Sequence, residues 1–190
     1  MKSRDIQIKF KVHNIEEFLN MLSRDNFILV GGTFETITRY DFEDDRLEKE
    51  GIFIRTKDGF DNTITLKEKT HHQTQFKYFE RKTLNFEIEN CEDMRYLLNK
   101  IGLTNTYTMQ KYRIVWKKGR LTINIDELPF GVYCDIRACS QDIDKFINRY
   151  NIKSFYNCTY WEIYDEIEPN HTDKNILFKS DHIFKLTSLI

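Results

Sequence analysis

The chain has 190 residues, 40% of them apolar and 14% aromatic, which excludes an intrinsically disordered protein and suffices for one domain with a sizeable core. Charged residues reach 31%, yet 29 bases against 30 acids leave a formal net charge of −1. That balance argues against broad electrostatic binding to nucleic acid or to a membrane, while leaving room for charge segregated locally. Four cysteines without CxxC spacing, a polar opening MKSRDIQ and no apolar run near the ~20 residues of a membrane span point to a cytoplasmic protein with reduced thiols.

Period-2 alternation dominates the chain. It predicts strands over 4–12, 35–42, 51–57, 62–69, 75–88, 107–117, 120–126 and 132–138. The first, DIQIKFKV, sets Ile6, Ile8, Phe10 and Val12 against Asp5, Gln7, Lys9 and Lys11. A helix follows in HNIEEFLNML, with Asn14 as N-cap and Ile15, Phe18, Leu19 and Leu22 on one stripe. The segments 57–62 and 117–120 read as hairpin connections, with Gly59 and Gly119 expected to supply positive φ. The loop HHQTQ carries His71 and His72, read as surface residues. Further helices are predicted in NCEDMRYLLNKIG, capped by Asn90, in SQDIDKFINRY, capped by Ser140, and around 158–166. Residues 1–168 are expected to form one domain. The tail 169–190 ends in the apolar HIFKLTSLI, which is expected to cover either a barrel mouth or a partner copy in a homodimer.

The polar faces of these strands carry an unusual residue set. Arg55 with Lys57, Thr65 with Lys67, Lys111 with Arg113, Asn124 with Asp126, and Asp135 with Arg137 each stand opposite an apolar face. A wet sheet face usually mixes Thr, Ser, Gln and Glu, whereas here Lys and Arg recur at strand centres. An antiparallel sheet curled into a barrel, with helices outside on the apolar faces, would turn these charges inward. Such an interior needs water and counter-charge, and its natural guest is a polyanion. Asp5, Asp126 and Asp135 offer hard oxygen ligands suited to Mg²⁺ or Mn²⁺.

Taken in order, these residues resemble the CYTH proteins, the triphosphate tunnel metalloenzymes. Asp5-Ile-Gln7-Ile-Lys9 resembles the family's opening E-x-E-x-K strand. RYDFEDDRLEKEGIFIRTK, with Tyr40, Asp41, Arg55 and Lys57, resembles the next signature. Thr65-Leu-Lys67, the segment KYFERK with Glu80, Lys111-Tyr-Arg113, and Asp126 followed by Gly131, Tyr133, Asp135 and Ile136 continue the likeness, which covers residues 4 to 165. The resemblance implies an α+β fold, an eight-stranded antiparallel barrel with outer helices whose tunnel binds a triphosphate. It implies phosphate clamping and catalysis by Lys9, Arg55, Lys67, Lys111 and Arg113, with Lys11, Arg39, Lys57, Glu80 and Arg137 as further substrate contacts. Asp5, Gln7, Asp126 and Asp135 fall at the metal positions, for Mg²⁺ or Mn²⁺. Two carboxylates of the family pattern are missing, since Gln7 and Arg137 stand where glutamates are usual. The expected activity is metal-dependent hydrolysis of inorganic, nucleoside or thiamine triphosphate. Two alternatives stay open: cyclisation of ATP to cyclic AMP, as in class IV adenylate cyclases, or binding of nucleotide or polyphosphate without turnover.

Overall fold

Alternating apolar and polar residues build eight strands: β1 (Ser3–Lys11), β2 (Ile28–Asp41), β3 (Ile52–Asp58), β4 (Thr63–Lys69), β5 (Phe79–Glu87), β6 (Thr104–Lys118), β7 (Leu121–Leu128) and β8 (Gly131–Arg137). The computed structural model describes residues 3–69 and 78–189, without the side chains of residues 3–5, 79, 80 and 105. His71 and His72 lie outside the described residues, as do the side chains of Asp5 and Glu80. All ladders are antiparallel, and their order β1-β5-β4-β3-β2-β6-β7-β8 returns to β1, so the strands pair in a ring.

The helices lie on the apolar outer faces. α1 (Ile15–Arg24) and α4 (Ser140–Arg149) bury Phe18, Leu22, Ile143 and Phe146 against Ile8, Ile114, Ile123, Ile125 and Ile136. Each fully buried aliphatic side chain of this layer contributes about 1.5–3 kcal/mol of transfer free energy. Asn14 and Asn90 cap α1 and α3 (Cys91–Lys100) through their side chains, as the spacing predicts. α4 is capped by Cys139 and not by Ser140, which is already the first helical residue. A short α2 (Arg46–Lys49), absent from the sequence reading, sits on the Asp41 carboxylate, which accepts the backbone N–H groups of Phe42, Leu47 and Glu48.

β2 starts seven residues before the predicted strand. The added stretch contains Gly31-Gly32, where the ladder with β6 has a bulge between Leu29 and Gly31. Gly119 takes φ of 57° in its hairpin, as expected. Gly59 does not have positive φ; a Cβ there would meet Glu35 Cγ at 3.1 Å, a tight contact.

α5 (Tyr160–Ile167) opens with a capping box between Thr159 and Glu162. Two single-residue bridges flank it. Tyr156 exchanges backbone hydrogen bonds with Lys9 of β1, and Ile176 bonds to Thr108 and Gln110 of β6. The tail then packs Phe178 and Phe184 on Phe34 and buries Leu186 in the main outer core. Its 3₁₀ turn is anchored by Glu127, whose carboxylate accepts from the N–H groups of Lys185 and Leu186. The tail thus lies along the outside of this same chain. No helix among the described residues is long and apolar enough to cross a membrane.

Candidate anion-binding interior

The inner face of the ring collects the charges. One region is lined, among the described residues, by ten cationic and four acidic side chains. The cations include Lys9, Arg39, Arg55, Lys67, Lys111, Arg113 and Arg137 from the sequence reading. A second region, lined by Thr63, Thr65, Thr83, Asn85 and Lys57, shares Arg55, Lys67, Lys111, Arg113 and Arg137 with the first. These five cations form a belt between an aromatic side, which carries Phe53, Tyr107, Tyr160 and Trp161, and a hydroxyl-rich side. Lys11 is exposed and lines neither region.

Strand register decides who faces whom. It sets Glu35 opposite Lys111, Arg113 opposite Asp126, and Lys9 opposite Asp135. On the wall formed by β2 to β5 it sets Arg39 opposite Arg55 and Lys69 opposite Arg81, like charges that repel across a ladder. Arg39 and Arg81 both stack on the Phe53 ring, at 4.4 and 4.2 Å from its centroid.

The acids Asp126 and Asp135 of the opposite wall, and Glu35 of β2, are held by cations. Arg113 grips Asp126 in a two-point contact at 2.6 Å from both Nε and Nη2, Lys111 Nζ stands 3.2 Å away, and the Tyr160 hydroxyl donates at 2.8 Å. Arg137 donates to Asp135 Oδ2 at 3.1 and 2.9 Å. The Gln7 amide, oriented by its partners, donates to Asp135 Oδ1 at 3.2 Å and accepts from Lys9 Nζ at 3.3 Å. Glu35 lies 3.2 Å from Lys111 and 3.6 Å from Lys57.

Burial alone would raise the pKa of Glu35, Asp126 and Asp135, but the neighbouring arginines and lysines outweigh it and hold all three below the ordinary carboxylate range. Burial would lower Arg113, but the surrounding carboxylates outweigh it and raise the pKa; for Lys9 and Arg81 burial dominates. It lowers Lys9 to about 8 against the pull of Asp135, and Arg81 to about 10. Burial also raises the Tyr160 phenol well above its usual value, so it remains a donor to Asp126.

Among the interior residues not singled out in the sequence are Glu35, Arg81 and Trp161. Glu35 is in phase with Arg39 on β2, and Arg81 is in phase with Thr83 on β5, so alternation carried a signal for both. In the segment KYFERK it is Arg81, next to the expected Glu80, that lines the cavity. Tyr160 and Trp161 fall in the helix predicted around 158–166, and the fold brings them to the interior.

Among the described residues, the expected donor set fits a divalent ion poorly. Asp126 lines neither region, and each of its oxygens already accepts from a cation. Asp135 is engaged at both oxygens, and Gln7 brings no charge. The three carboxylates that do converge among the described residues, Asp41, Asp45 and Glu48, are where Asp41 caps α2 and Arg39 pairs with Glu48.

No known family profile matches the chain, and no curated protein matches it in sequence. Solved structures do. A candidate adenylate cyclase from Vibrio parahaemolyticus superposes with TM-score 0.72 at 15% identity, covering 87% of this chain and 99% of that one. The PH1819 protein of Pyrococcus horikoshii gives 0.70 at 18% identity, over 86% and 99%. A candidate adenylyl cyclase from Hippeastrum, described as having a dominant triphosphatase activity, gives 0.62 at 12% identity, over 96% and 100%. The fold is shared with these proteins. At such identities the likeness establishes fold and not activity.

Proposed function

We propose that this chain binds a triphosphate-containing small molecule inside its ring of strands, in a CYTH-like tunnel. The observation that carries the reading is the excess of cations over acids around a single interior region. Buried charge is costly unless compensated, and a chain of phosphates compensates many cations at once. Lys9, Arg55, Lys67, Lys111 and Arg113 are the principal phosphate contacts in this reading, with Arg39, Lys57 and Arg137 beside them. Arginine offers two-point hydrogen bonding to phosphate oxygens and lysine a compact charge.

The cyclase and triphosphatase descriptions of the structural neighbours support a triphosphate as the guest. Hydrolysis follows by analogy with the Hippeastrum protein, and formation of cyclic AMP by analogy with the cyclases. The engagement of Asp126 and Asp135 by arginine favours binding without turnover over either reaction.

Calorimetric titration with inorganic triphosphate, ATP and thiamine triphosphate tests the proposal. At least one should bind, and Lys67→Ala should weaken it roughly tenfold or more, the loss of one charge-assisted hydrogen bond. No binding by any of the three overturns the reading. Chromatography of the same mixtures separates the chemistries: free phosphate marks hydrolysis, cyclic AMP with diphosphate marks cyclisation, and unchanged ligand marks binding alone.

A further inference from the structure

The metal positions of the interior lead to a second inference, which rests on the triphosphate reading. We infer that the polyphosphate is taken up free of divalent metal, because the described acids at the metal positions, Asp126 and Asp135, are committed to the protein's own cations.

Three observations converge on it. Asp126 is fully enclosed and held by Arg113 at two points, by Lys111 and by the Tyr160 hydroxyl. Cross-strand register puts Arg113 directly opposite it, so the pairing is built into the β6–β7 ladder and not into a movable loop. Arg113 can meet a phosphate only while it keeps its hold on Asp126, since letting go would leave a buried acid uncompensated, a costly exchange. Asp135 is the acid of this pair that faces the cavity. Its flanking residues are Gln7 and Arg137, themselves opposite each other across β1 and β8, and both donate to it. Glutamates at these two positions would have offered an ion two more carboxylates; an amide and a guanidinium offer it a neutral dipole and a repelling charge. Finally, Glu35 on the hydroxyl-rich side is aimed between Lys57 and Lys111, so it too is ion-paired within the protein.

A ligand entering this interior meets fixed cations where an ion would otherwise bridge acid to phosphate. Arg137 acts here as a specificity-determining residue, selecting the bare polyanion over its magnesium complex. The complex carries less negative charge and a bound ion that Arg137 and Arg113 repel.

Calorimetry with inorganic triphosphate, once in chelator and once in millimolar Mg²⁺, decides the matter. Binding should be roughly tenfold weaker with Mg²⁺, equivalent to losing about one charge-assisted contact. Mn²⁺ alone, followed by its paramagnetic resonance signal, should show no tight site on the ligand-free protein. Binding that needs or is strengthened by Mg²⁺ overturns the inference while leaving the triphosphate reading intact; no binding in either condition overturns both. The double variant Gln7→Glu, Arg137→Glu should reverse the Mg²⁺ effect, and a double variant that still binds best in chelator counts against the role given to Arg137. Should it fail to fold, the wild-type titration still decides.

Discussion

Replacing Asp126 by Asn removes one charge from the centre of the paired wall while keeping the shape of the side chain. Asp126 is wholly buried and its carboxylate serves four donor atoms, Nε and Nη2 of Arg113, Nζ of Lys111 and the Tyr160 hydroxyl. The amide keeps one acceptor and turns two donor hydrogens toward these donors. Breaking a buried pair by removing one partner costs about 3–5 kcal/mol, and burial this complete calls for no discount for solvent screening. For a domain of this length that corresponds to a fall of roughly 6–20 °C in Tm. The assay is urea unfolding followed by tryptophan fluorescence, using Trp116 and Trp161. Saturating triphosphate should recover part of the loss, since an added anion restores compensation to Arg113 and Lys111. A loss under about 1 kcal/mol would refute the reasoning, because surface pairs alone are worth so little.

Other outcomes follow from the same geometry. Lys9 is depressed to about 8 by burial, so it is charged below that pH and neutral above it. Triphosphate affinity should therefore fall as pH rises through 8, by up to about tenfold per unit, and Lys9→Arg should flatten the profile because arginine stays charged. The ligand-free protein should show the opposite trend from this group: between pH 8 and the ordinary lysine value the unfolded chain binds more protons, so stability rises with pH. Gly59→Ala should cost about 1–3 kcal/mol by crowding Glu35, measured by chemical denaturation, with a matching change in triphosphate affinity if Glu35 shifts. Leu186→Ala should cost about 2–5 kcal/mol, since the side chain is fully buried; a negligible effect would mean the tail is not part of the core in solution.

Much of the fold is legible in the sequence because two faces of opposite polarity alternate along every strand. β1 declares its outer side through Ile6, Ile8 and Phe10 and its inner side through Gln7 and Lys9. The start of β2 is hidden because Gly31-Gly32 has the composition of a turn, and only pairing with β6 shows that a bulge accommodates it. The residue types of the site are also legible: Arg55, Lys67, Lys111 and Arg113 announce an interior that wants negative charge. Which acid meets which base is not, because that is a property of register between strands distant in the chain. Asp126 looks like a free ligand in LTINID until Arg113 is found opposite it. Tyr160 looks like one more core aromatic in CTYWEIY until α5 brings its hydroxyl to Asp126. The expected metal site was read from residue types and the family resemblance, and among the described residues the arrangement of neighbours is what argues against it.

The two one-residue bridges have a bearing on how the chain avoids self-association. Beyond the last β5 partner of β1, and beyond the last β7 partner of β6, each strand would present bare amide and carbonyl groups to a passing copy, an invitation to edge-to-edge aggregation. Tyr156 and Ile176 occupy those two short stretches from within the same chain. The segment that follows the last helix is in this sense a gasket: shortening it ahead of Ile176 would unseal one seam of the wall before it disturbed a single charge inside.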